Sequence, residues 1–166
     1  MTGPAEDIRR AILDDVEDLL ALDHRVTAGD IQRVSDIRDH VENGHCHVHS
    51  ESDHLDGYVV VLPRHFLGRD FVDLLIVAPS ARRCGIGRKL LRAVLDMEGT
   101  SQVFTSSNRS NTPMRELLRQ QGWQLSGELD GLDPGDPEMF FFARRTEPMN
   151  WDTGGDQAIH TVRTER

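Results

Sequence analysis

The sequence predicts an α/β (α+β) chain whose mixed central sheet of about seven strands is flanked by about four helices. Three observations predict it. Helix-spaced and strand-spaced stretches alternate along the chain instead of separating into blocks. Two apolar runs, residues 57–62 and 71–77, read as strands buried on both faces. The second run leads into Val77-Ala78-Pro79-Ser80-Ala81-Arg82-Arg83-Cys84-Gly85-Ile86-Gly87-Arg88, a proline turn, then a basic Gly-x-Gly, then helical spacing. That order suits a phosphate. Glycines let the backbone approach a ligand, and a helix N-terminus offers free amides and the positive end of its dipole. Arg82, Arg83 and Arg88 add formal charge. Spacing alone also permits a tight turn with solvated arginines.

Residues 1–6 read as a polar lead-in, and 7–12 alternate polar and apolar as a first strand. Asp14 or Asp15 can cap a helix with Val16, Leu19, Leu20 and Leu22 at helical spacing, broken at 27–30. A second amphipathic helix, 31–42, turns Ile31, Val34, Ile37 and Val41 to one side and stops at Asn43-Gly44. Residues 45–49 form a short strand. The strand 57–62 ends at Pro63 and pairs with 71–77 across the intervening turn. After the glycine loop, 86–97 is a helix with Leu90, Leu91, Val94 and Leu95 as its core side. A short strand 102–105 and a polar turn 108–113 follow, with Pro113 at the start of helix 114–121. Strand 123–128, a Gly/Pro/Asp-rich loop 131–137 and a last apolar strand 139–143 complete the domain, 1–145. Residues 146–166 read as a mobile polar tail. The element order is β-α-α-β-β-β-α-β-α-β-β.

At 166 residues, 37% hydrophobic and 28% charged, the chain is expected to be one folded domain with a core of its own. No apolar run is long enough for a membrane span, and the N-terminus lacks the apolar core of a signal peptide. Two cysteines, Cys46 and Cys84, are too few for a disulfide framework, which points to a reducing cytoplasm. A net charge of −9 disfavours nucleic acid as a partner. The same charge suits a cationic substrate, or serves only solubility. His45, His47 and His49 alternate on one strand face with His54 nearby, but no carboxylate or cysteine completes a ligand set, so no metal is expected.

At this point the chain resembles the GCN5-related N-acetyltransferase (GNAT) family. The first carrier is Arg82-Arg83-Cys84-Gly85-Ile86-Gly87, which follows a strand and opens a helix as in that family. The second is 111–123, where Asn111, Leu117-Leu118 and Gly122-Trp123 match the family's Asn … Gly-aromatic segment. The resemblance spans about residues 7–145. It implies the GNAT fold, acetyl-CoA as donor, and a primary amine of a small molecule or peptide as acceptor. The loop Arg82, Arg83, Cys84, Gly85, Ile86, Gly87 and Arg88 would hold the CoA pyrophosphate. Leu75, Ile76 and Val77 would bond the pantetheine arm like an added strand, with Asn111 beside its thiol end. Edge strands in this fold class often pair between subunits, so a homodimer is a candidate state.

One departure stands out. The family often places a tyrosine four residues before the glycine of the second segment, where it protonates the leaving thiolate; here that residue is Leu118. A thiolate of pKa about 8.5 leaves with modest help. Ser106, Ser107, Tyr58 or a water could substitute, and Ser107 is the candidate kept. Asp73, four residues before Val77, is the candidate base; buried beside Leu74 and Phe71 it would hold a proton more tightly. The alternative for Asp73 is a bond to neighbouring backbone. Glu128 and the loop 133–138 could line the acceptor pocket, or be a solvated turn. Cys84 is expected as a tolerated loop residue, since direct transfer needs no acyl-enzyme. Two readings follow: an amine acetyltransferase working by direct attack, or a non-catalytic acyl-CoA-binding module on the same fold. A nucleotide-binding Rossmann unit is disfavoured, because the loop follows several strands and lacks a third glycine.

Overall fold

The structure is a computed structural model describing residues 7–51 and 54–145. The lead-in and the tail expected at 1–6 and 146–166 lie outside the described residues. Seven strands form one mixed sheet: β1 (Ile8–Arg10), β2 (Cys46–Glu51), β3 (His54–Phe66), β4 (Arg69–Val77), β5 (Gln102–Asn108), β6 (Gln124–Leu129) and β7 (Glu138–Arg144). Their spatial order is β1-β2-β3-β4-β5-β7-β6, and β4–β5 is the parallel pair within it. The helices are α1 (Val16–Leu22), α2 (His24–Thr27), α3 (Ile31–Glu42), α4 (Ile86–Asp96) and α5 (Thr112–Gln120). The seven-stranded mixed sheet matches the expected fold class.

Alternation of side chains across the strands builds two cores. Tyr58, Val60, Cys46, Val48 and Leu74 meet α1 and α3 on one face. Val59, Val61, Val72 and Val103 meet Leu90, Leu91 and Val94 of α4 and Leu118 of α5 on the other. Gly57 fixes how closely α4 lies on the sheet. A Cβ there would stand 2.7 Å from the Ile76 carbonyl oxygen and 3.3 Å from Ile86. Gly57→Ala is expected to cost about 1–3 kcal/mol by overpacking. A thermal melt by circular dichroism checks this, and an unchanged melting temperature contradicts it.

Several elements differ from their sequence reading. The first helix stops at Asp23, whose extended backbone breaks it while its carboxylate accepts from the Arg25 amide and starts α2, a helix not expected. Strand β3 runs past Pro63 to Phe66, because residues 63–65 fall at a ladder irregularity where proline's missing N–H costs nothing. Leu67 and Gly68, both at positive φ, then close a two-residue hairpin onto β4. Ile31, read as core-facing, is exposed. Strand β7 lies between β5 and β6, yet Phe140 and Phe142 are only half-buried, so its apolar run does not mean cover on both faces.

Candidate active site

Strand β4 creates the site by parting from β5. The two pair only over Asp70–Val103, Phe71–Phe104 and Val72–Thr105. The Thr105 hydroxyl donates to the Val72 carbonyl at 2.9 Å and closes the last shared rung. At the same level β4 bulges against β3: Val60 pairs with Leu74 and Val61 with Val72, so Asp73 is the extra residue. Beyond it, residues 73–77 have no partner strand on the β5 side among the described residues. The result is a groove of about 1480 Å³ that opens from this apex toward the ends of β4 and β5.

At the mouth of the groove, β4 ends in a helical turn at Pro79–Ala81 and the basic loop leads into α4. Gly85 caps α4 at φ +83°, a left-handed position that glycine alone adopts without strain. Arg83, at φ +65°, turns the loop just before it. The first intrahelical bond runs from the Lys89 amide to the Gly85 carbonyl, so the amides of Ile86, Gly87 and Arg88 have no acceptor within the helix. Arg82, Arg83 and Arg88 are exposed around them. Gly87 passes close to α5: a Cβ there would sit 3.0 Å from Leu117 Cδ2. Free amides, a helix N-terminus and three cations make a donor set for a polyanion.

Asp73, Ser107, Leu75, Ile76, Val77, every residue from Arg82 to Arg88, and Asn111 all line this one groove. Asn111 has a second duty, since its side chain caps α5 by accepting from the Met114 amide at 3.3 Å. Ser107 is buried on β5, two residues beyond Thr105.

The comparisons agree with this geometry. The model of the acetyltransferase (GNAT) family matches residues 13–123. The chain belongs to the GNAT family. Its fold is similar to that of a GNAT acetyltransferase from Bacillus cereus, with a TM-score of 0.79 and 29% identity, over 84% of this chain and 97% of that one. It is also similar to yncA from Salmonella typhimurium, solved with its cofactor acetyl-CoA (TM-score 0.66, 17% identity, 91% and 98% covered). A third likeness is to a ribosomal-protein-alanine N-acetyltransferase from Brucella melitensis (TM-score 0.66, 21% identity, 82% and 98% covered). None of the curated proteins compared matches the chain. Acetyl-CoA, implied by the resemblance, is the acetyl donor of GNAT enzymes.

The residues expected to handle protons are placed differently from their sequence reading. Asp73 is not buried: the bulge turns it outward, its side chain 35% exposed, with Oδ2 at 3.7 Å from Nε2 of His40 on α3. Burial lowers the His40 pKa, with Asp73 opposing and His45 adding to the fall, so the ring is neutral near pH 7. Leu118 of α5 is fully buried in the core, and the residues that α5 turns to the groove include Met114 and Leu117 instead. The chain's one tyrosine, Tyr58, is buried on the α1–α3 side and donates to Asp23 at 2.9 Å. Burial and Asp23 both raise its pKa, so it holds its proton and does not reach the groove.

Sequence reasoning missed the α1–α3 wall. Asp23 accepts from Tyr58 and from the Arg25 amide, lies 3.4 Å from Arg33 Nε, and lines the groove with Arg33, His24 and Arg25. The partners are 35 residues apart in the chain, and no local pattern joins them. Of the acidic loop, Glu138 lines the groove, whereas Asp133 and Asp136 are bonded to Asn108 and Ser110 and Glu128 to Arg109. The histidine face is also split: His49 packs between Asp56 and Lys89, while His45 turns toward His40. Among the described residues no group of three or more His, Cys, Asp or Glu is set to hold a metal. No described helix is long and apolar enough to cross a membrane.

Proposed function

We propose that this protein transfers an acetyl group from acetyl-CoA to a primary amine of a small molecule or peptide by direct attack. The observation that carries the reading is the parting of β4 from β5 at Asp73, with a polyanion cradle at the open end of the same groove. The residues fit the donor. The free amides of α4 with Arg82, Arg83 and Arg88 suit its pyrophosphate, and the unpaired edge at Leu75, Ile76 and Val77 suits its amide-bearing arm. When bound, acetyl-CoA supplies an activated acyl group on a leaving thiolate.

The chain's own residues do the rest. Holding amine and donor in one groove makes the encounter intramolecular in effect. The β4 N–H groups that face the gap polarise the acyl oxygen. An amine is protonated at neutral pH and must lose a proton to attack; Asp73 at the apex takes it, and neutral His40 behind it can pass it on. Ser107 is the candidate donor toward the thiolate. The carboxylates of Asp73 and Glu138 favour a cationic acceptor in the same groove. Free Cys46 and Cys84 accord with a reducing, cytoplasmic setting.

Asp73→Asn is expected to lower kcat by about 100-fold with acetyl-CoA affinity unchanged. His40→Gln should move the acid limb of the kcat/KM profile, which in the wild type lies below the ordinary histidine range because burial keeps His40 deprotonated. Steady-state kinetics across pH checks both, and an unaltered profile in both variants removes this pair from the reaction. The second reading, a non-catalytic acyl-CoA-binding module, is favoured by one observation: no tyrosine reaches the groove.

A further inference from the structure

The wall that α3 gives to the groove carries a cation whose hydrogen-bonding capacity the fold does not use. Arg33 lines the groove with its side chain only 14% exposed. Its Nε is buried without a hydrogen-bond partner among the described residues and stands 3.4 Å from Asp23 Oδ2. Asp23 is committed elsewhere: Oδ2 accepts from the Tyr58 hydroxyl at 2.9 Å and Oδ1 from the Arg25 amide at 2.8 Å. It balances the charge of Arg33 without hydrogen-bonding its Nε. The neighbouring cation, Arg25, pairs with Asp30 at 2.5 Å. A desolvated guanidinium with an unmet donor is unfavourable until an acceptor arrives. Its planar fork matches a carboxylate, which it meets with two parallel bonds.

Two independent measures place this cation relative to Asp73. Arg33 and His40 are seven residues apart on α3, so they share a face with buried Ile37 between them and stand about 10 Å apart along the axis. His40 is the residue behind Asp73. On the sheet, Tyr58, which holds Asp23, pairs with Ile76, three residues or about 10 Å along β4 from Asp73. The groove therefore sets a carboxylate and a cation one such span apart. We propose that Arg33 binds the carboxylate of the acceptor, and that the acceptor is a short peptide whose free amine lies at Asp73 while its carboxylate lies at Arg33. Three residues of extended chain span about 10 Å. A net charge of −9 repels a simple anion, so the amine draws the acceptor in and Arg33 orients it. The inference rests on the transferase reading above and names the class of its acceptor.

Triglycine and its C-terminal amide differ only at the group that Arg33 holds, and they serve as probes. Calorimetry on the full chain loaded with CoA is expected to show triglycine binding at least ~10-fold tighter than the amide. The ratio of kcat/KM values, from CoA release with acetyl-CoA, should favour triglycine to a similar extent. In Arg33→Gln both ratios should fall to unity while acetyl-CoA affinity is kept. That variant leaves Asp23 buried without its counter-charge, so Arg33→Gln combined with Asp23→Asn provides a neutral pair whose amide oxygen can still accept from Tyr58. It should lose the preference as well, whereas Arg33→Lys, a cation without the fork, should keep part of it. Equal binding of acid and amide by the wild type, or a preference that survives the loss of Arg33, would overturn the proposal. So would a fall in acetyl-CoA affinity with the preference intact, which would assign Arg33 to the donor. Acetylation of amines without the preference overturns the Arg33 subsite alone. Triglycine binding through Arg33 without turnover upholds the subsite and contradicts the transferase reading.

Discussion

Replacing Gly87 with aspartate is expected to weaken acetyl-CoA binding by at least ~100-fold in titration calorimetry, about 2.7 kcal/mol. Two effects add. The new Cβ meets Leu117 at 3.0 Å and pushes α4 from α5 at the wall of the groove. The carboxylate then stands among the amides of Ile86 to Arg88, where a phosphate would sit, and replaces attraction by repulsion. Gly85→Asp should behave similarly for another reason: at φ +83° a side chain is strained before charge is counted. Wild-type affinity in both variants would contradict the cradle.

The second large effect is on stability. Asp70 and Arg145 form a buried pair at 2.7 Å, their side chains 5% and 8% exposed. Asp70 also accepts from the amides of Arg64 and Thr100, and Arg145 donates to the carbonyls of Thr100 and Val94. The cluster ties the last strand to the root of β4 and to the end of α4. Arg145→Ala leaves a buried carboxylate without its charge partner, at an expected cost of about 3–5 kcal/mol. For a chain of this length that lowers the melting temperature by roughly 10 °C. Burial alone would raise the Asp70 pKa, but the Arg64 amide, the Arg145 guanidinium and the Thr100 amide together hold it below the carboxylate range. Asp15 is held low chiefly by Arg9. A depressed acid stabilises the fold above its unfolded pKa of about 4 and loses that contribution as pH falls. Acid unfolding monitored by circular dichroism should therefore shift to higher pH in Arg145→Ala. Unchanged heat and acid stability would contradict the role of the pair.

Local chemistry made much of this fold legible. Period-2 and helical spacing found all seven strands and the four longer helices, because most of them bury an apolar stripe, the exposed β6 being an exception. The basic Gly-x-Gly showed the cradle because its function is local: glycine conformation, free amides and charge lie within seven residues. What stayed hidden depends on partners distant in sequence. That Asp73 sits in a bulge depends on register with β3, so its exposure and its neighbour His40 could not be read from the strand. The pairing of Tyr58 with Asp23 joins a strand to a helix end. The spacing of Leu118 identified the position of the usual tyrosine but not that α5 turns it into the core.

Turnover over a broad panel of amines, followed as CoA thiol release with the acetylated product identified by mass spectrometry, tests the central claim most directly. Acetyl-CoA-dependent product from a cationic primary amine, lost in Asp73→Asn, is the expected result. Tight acetyl-CoA binding with no product from any amine would contradict the transferase reading and leave the acyl-CoA-binding module in its place.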